Sequence, residues 1–197
     1  MKVRMLILYT LIASGSTPGT HVLAADTPIE EDRNKTYVGQ GNAQIPMTDH
    51  TFVARAALGG NAEIEASKLA LRVSENQKLH KFAEMMIKDH QTANMELKNI
   101  ASKINIGVPT SPDTVHQKAL KKMQSMEGIA FDEAYVKMMQ QDHDMTVDLF
   151  EKAAADPQLT NELRVFATEK LSILLLHQRH AHSLGTIEIS DTPRVEH

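Results

Sequence analysis

The chain has 197 residues, with 25 acidic and 21 basic side chains and neither cysteine nor tryptophan. Without cysteine there is no disulfide framework, no thiolate metal site and no lipid-modified thiol. An acidic balance with no basic stripe argues against nucleic acid or an anionic membrane as partner.

From the start, Lys2 and Arg4 precede an apolar run, Met5 to Ala13, of signal-peptide length and too short to span a bilayer. Val22-Leu23-Ala24 offers a cleavage point after Ala24, so residues 1–24 read as an export signal, with an uncleaved anchor as the alternative. No stop-transfer or transmembrane segment follows. Export of a cysteine-free chain points to a bacterial periplasm. Cleavage would leave 19 basic against 25 acidic residues, a net charge of −6. Residues 25–47 are polar, carry Gly39, Gly41 and Pro46, and read as a flexible leader.

The domain is expected over residues 48–185. Thr48-Asp49 is an N-cap pair for a first helix, whose inner face carries Phe52, Ala56, Gly59, Glu63, Ala66, Ala70 and Val73. Glu65 falls on another face and reads as solvated. A second helix runs from Gln77 to Ile104, stopped by Gly107 to Pro112. Ser111 as cap and Pro112 at the first helical position would open a short helix of about 15 residues, or about 22 Å. Its apolar face carries Val115, Ala119, Met123 and Met126. A third long helix spans Ile129 to Ala155, and Asp156-Pro157 introduces a fourth that ends at Leu184 with Gly185 as its stop. Residues 186–197 read as a loose tail. The fold class is all-α: a ferritin-like four-helix bundle whose one long crossover carries a short extra helix and leaves the second and third helices parallel.

A hexapeptide occurs twice, as Met85-Met86-x-x-Asp89-His90 and as Met138-Met139-x-x-Asp142-His143. At helical spacing His90 shares a face with Phe82, Met86, Ala93 and Leu97, and His143 shares one with Tyr135, Met139, Val147 and Phe150. Both histidines therefore point inward. They lie at similar depths in parallel helices, and Glu63 on the first helix is offset from His90 by only about 4.5 Å of rise. The fourth helix offers His177 among Leu163, Ala167, Leu174 and Ala181. Counted from Pro157, its depth differs from that of His143 by about 9 Å, a gap that a helix starting near Thr160 would narrow.

Imidazole and carboxylate on inward faces of a bundle suit a metal ion, with Zn, Fe, Mn or Cu all compatible, and Glu63, His90, His143 and His177 are the candidate ligands. Asp89 and Asp142 are candidate acceptors for ring N–H groups on neighbouring helices. Met86 and Met139 could add thioether ligands that favour copper, or simply fill the core. Tyr135 could donate into the network or pack. The alternative is a metal-free buried His–carboxylate network in a structural or interaction module of the cell envelope. His50, His80, His116 and His197 carry no assigned role, and His182 faces elsewhere. The sequence leaves a homo-oligomer open and names no partner.

Phe52-Val53, Ala56-Ala57, Glu63, Phe82-Ala83-x-x-Met86, Asp89-His90, Phe131-Asp132-x-x-Tyr135, His143 and His177, in this order and spacing, resemble a ferritin-like family of exported bacterial proteins of unknown function (domain of unknown function 4142). The resemblance spans about residues 47–185. It implies a four-helix bundle and export, and it leaves activity open. Two departures stand out. No Glu-x-x-His occurs anywhere, which argues against the di-iron chemistry of better-known ferritin-like enzymes. Lys170-Leu171-Ser172-Ile173 also stands where the family shows a Leu-Pro pair, implying a straighter fourth helix.

Overall fold

The computed structural model describes residues 46–187. The expected signal peptide, nearly all of the leader and most of the tail lie outside these residues. Within them five helices follow in order: α1 Asp49–Val73, α2 Gln77–Lys103, α3 Thr114–Met123, α4 Gly128–Ala155 and α5 Asn161–Ile187. α1 opens on the expected cap: the Thr48 hydroxyl accepts from the Thr51 amide, while the Thr51 side chain returns a bond to the cap's own amide.

Two helix ends differ from expectation, those at the start of α3 and the end of α5, while α2 ends within one residue of it. α2 stops before Gly107, because Asn105 takes a left-handed conformation at φ 56°. The Ile106 amide then reaches back to the Ala101 carbonyl and the Asn105 amide to Ser102. This is a Schellman closure, with Asn supplying the conformation usually left to glycine. The cap of α3 is Asp113 and not Ser111, since its carboxylate accepts from the amides of Val115 and His116 at 2.8 and 3.0 Å. α3 thereby shortens to 10 residues, and Val115 is exposed rather than packed. Gly185 does not end α5, which runs through it to Ile187. At Gly185 a Cβ would collide with the Gln140 side chain of α4, so the glycine serves close approach rather than termination.

The four long helices form a closed ring in which α1 packs on α2 and α4, and α5 on α4 and α2. Side-chain pairs give the directions. Phe82 meets Tyr135 at one end of α2 and α4, and His90 meets His143 further along both, so these two helices run parallel. Phe52 meets Phe150 while Ser67 bonds Tyr135, so α1 runs antiparallel to α4. Asp89–His177 and Glu96–Lys170 show α5 antiparallel to α2. Residues 104–127 make the long crossover, with α3 packed on α1 and α4. Its entry is tied down by Asn94, which donates to Asn61, which in turn donates to the Pro109 carbonyl.

The core is divided. One apolar cluster holds Phe82, Met86, Phe131, Tyr135 and Met139. The other holds Phe52, Leu97, Phe150, Leu163 and Phe166. Along every long helix one polar residue separates the two: Glu63 on α1, His90 on α2, His143 on α4 and His177 on α5.

Candidate metal centre

All four of these residues are buried, with Glu63 and His143 wholly inaccessible. The three imidazoles face one another with ring centroids 5.3–5.7 Å apart. The depth mismatch foreseen for His177 is closed by two effects. α5 begins only at Asn161, because the Thr160 amide is held by the Asp49 carboxylate at 2.9 Å and Leu159 is buried in the turn. Helical side chains also lean toward their own N-terminus. In an antiparallel pair, the residue before the turn leans away from it and the residue after it leans back. His143 and His177 converge for this reason, and so do Glu63 and His90.

Each ring has one nitrogen without a hydrogen-bond partner, and His143 and His177 are fixed through the other. His143 Nδ1 donates to the Met139 carbonyl at 2.8 Å, leaving Nε2 unpartnered. His177 Nε2 donates to Asp89 at 3.0 Å, leaving Nδ1 unpartnered. His90 Nδ1 lies 3.1 Å from Glu63 Oε2, and its Nε2 has no partner. One ring nitrogen from each of the three can be chosen so that all lie within 4.8 Å of one another. Buried imidazole nitrogens without partners are costly unless something meets them. Three ligands of a single ion at about 2.0–2.1 Å stand about 3.3–3.6 Å apart. Modest rotation of the rings would therefore close the set on a cation.

Burial, reinforced by the neighbouring imidazoles, drives His90 well below the ordinary histidine range. Burial likewise lowers His143 to about 4. Burial also lowers His177, with Asp89 resisting. All three rings are thus neutral at pH 7, the state in which imidazole ligates. Glu63 does not join the trio. Its oxygens lie 3.1 Å from His90 Nδ1 and 3.6 Å from His143 Nδ1, on the sides of those rings away from the unpartnered nitrogens. Burial, then the charge of Asp142, raises its pKa well above the ordinary value.

The other sequence candidates divide. Asp89, half-buried, holds His177 across the α2–α5 seam. Asp142 faces His116 rather than a ring of the trio, at 3.4 Å. Met86 and Met139 are wholly buried in the apolar cluster with Phe82 and Phe131. Tyr135 shares a hydrogen bond with Ser67 at 2.9 Å and stacks on Phe131. His182 pairs with Asp144 in solvent.

Sequence reading missed His116. It bridges two buried carboxylates, Asp113 and Asp142, and so clamps the crossover helix to α4 one residue from His143. Burial alone would lower its pKa, but hydrogen bonds to Asp113 and Asp142 and their charges outweigh it and raise it to about 10. The only local signal was the Asp113-x-x-His116 spacing at a helix start.

A family model described as "Domain of unknown function (DUF4142)" matches residues 36–184, most of the chain. The chain belongs to the DUF4142 family. A comparison with the curated proteins finds no match. Among solved structures this DUF4142 protein is similar to CopM in the Cu(II)-bound form, with 18% identity and a TM-score of 0.58 over 71% of this chain and 96% of CopM. It is likewise similar to CopM in the Ag-bound form, with 17% identity and a TM-score of 0.58 over 72% and 98% of the two chains. At this identity the likeness is one of fold, the all-α bundle. Among the described residues no helix is long and apolar enough to cross a membrane.

Proposed function

We propose that this protein is exported and holds one monovalent copper ion in its core through His90, His143 and His177, as a periplasmic copper buffer or envelope-stress protein. The observation that carries the reading is the trio itself: three buried neutral imidazoles, each with an unpartnered nitrogen, gathered between two apolar clusters. The oxidation state follows from charge. The rings offer no negative charge to the ion, and burial disfavours one on Glu63. The cost of burying a charge rises with its square, so such a set favours Cu(I) over Cu(II), Zn, Fe or Mn as divalent ions. That CopM, of similar fold, is seen with Cu(II) and with silver makes copper the first metal to test. The lysine and arginine near the start of the chain support export.

The test is to strip the mature protein and titrate Cu(I), Ag(I), Cu(II), Zn(II), Fe(II) and Mn(II) under anaerobic conditions. One tight Cu(I) or Ag(I) per chain is expected, lost in His143→Ala. A folded protein that takes up none of them stoichiometrically would end this reading. It would favour a metal-free structural module, for which the His–carboxylate pairs at Glu63–His90, Asp89–His177 and Asp113–His116–Asp142 are the supporting observation.

A further inference from the structure

Between α2 and α5 a cavity of about 280 Å³ runs from the surface to His90 and His177, two members of the trio. Glu63, His90 and His177 line its inner end, and Leu97, Phe150 and Phe166 are among its apolar walls. Two cross-seam contacts frame it, Asp89–His177 at 3.0 Å and Glu96–Lys170 at 2.5 Å. Three protein nitrogens are one fewer than a closed tetrahedral site requires, and a site with three protein ligands keeps a position open to an outside molecule.

We propose that this cavity binds a small, uncharged, soft donor molecule with an apolar body, such as a thioether or an isocyanide, which completes the coordination of the ion held by the trio. The proposal rests on the copper reading above. Size permits it, since a dry apolar cavity of about 150 Å³ already accepts benzene. The walls select against charge. The cavity's charged side chains are exposed or committed: Lys88 is exposed, Asp89 pairs with His177, and the Lys170 ammonium pairs with Glu96 and lies over the Phe166 ring 5.4 Å from its centroid. An anion going deeper than the exposed Lys88 would shed its hydration among phenyl and leucyl groups. Softness follows from the ion, because a monovalent copper prefers sulfur and carbon donors. Binding here is coordination only, with no bond broken and no electron transferred.

The experiment uses the full mature chain loaded with one equivalent of Cu(I). Carbon monoxide, then tert-butyl isocyanide, is added and the C≡O or C≡N stretch followed by infrared spectroscopy. A single saturable band at one ligand per copper is expected. Ala93→Phe, which fills the cavity from a half-buried α2 position that is not a ligand, should weaken isocyanide binding at least tenfold with copper stoichiometry unchanged. If that variant does not fold, Phe166→Leu decides, since it enlarges the cavity and should raise affinity for the bulkier cyclohexyl isocyanide. Copper bound without any ligand band overturns this inference and leaves the copper reading intact. Equal isocyanide affinity in wild type and folded Ala93→Phe, or no gain in Phe166→Leu, also overturns it. Failure to bind copper removes both readings together.

Discussion

Replacing His116 by alanine should cost stability in a strongly pH-dependent way. In the folded protein this imidazolium stands between the buried carboxylates of Asp113 and Asp142, and its pKa rises from the ordinary 6.5 to about 10. A raised folded pKa means that the folded state holds the proton more tightly. The stabilisation is therefore fully present below about pH 6.5 and fades as pH climbs, by about 1.4 kcal/mol per pH, until it vanishes above about 10. Taken at face value the span corresponds to about 5 kcal/mol. The 3.4 Å contact to Asp142 is long and the ring is partly wet, so we expect about 2–3 kcal/mol at pH 6. Asp113 is held low by the same contacts, against its own burial, and adds nothing separate. The assay is urea unfolding of the metal-free wild type and His116→Ala at pH 6, 7, 8.5 and 10. The gap between them should fall to under half of its pH 6 value by pH 8.5. A gap below about 0.5 kcal/mol at pH 6, or one that does not change with pH, would refute the ionic clamp.

Four further outcomes are expected. Met86→Leu and Met139→Leu should leave copper affinity within a few-fold of wild type by competition titration, because both thioethers pack in the apolar cluster and a Leu-for-Met exchange conserves volume; a loss of about a hundredfold would make them ligands. The metal-free protein should lose stability on acidification from about pH 6.5 toward 4. His143 stays neutral when folded while the unfolded chain takes up its proton, and this slope should be smaller in His143→Phe by unfolding at fixed pH. Asp89→Ala should weaken metal binding by about 10–100-fold without abolishing it, since it removes the acceptor that orients His177. Gly59→Ala should raise the unfolding free energy by about 0.5–1 kcal/mol, as its Cβ meets only Thr146 at 3.9 Å, whereas Gly60→Ala, whose Cβ would press on the Asn94 amide at 2.8 Å, should not.

Along the long helices, though not at Val115 on α3, periodicity alone placed the inward polar residues correctly, because a residue's direction from a helix axis depends only on its position in the 3.6-residue turn. Phe82, Met86 and His90, and Tyr135, Met139 and His143, are accordingly all buried. The duplicated hexapeptide was legible for the same reason, and so was Thr48 as a cap, a strictly local interaction. Depth was harder to read. Where α5 begins is set by Asp49, 111 residues away in sequence, holding the Thr160 amide. A proline rule applied at Pro157 could not see that contact. The end of α2 was legible to within one residue, but its closure on a left-handed Asn105 was not.

From the sequence itself came the all-α class, the four inward polar groups and the repeat that relates two of them, since these depend on local geometry and burial pattern. Tertiary packing decided which of those groups share a centre. It set Glu63 beside the His90 and His143 rings, gave Asp142 to His116, and opened a cavity beside His90 and His177. Those outcomes depend on distances between helices, which no periodicity within one helix contains.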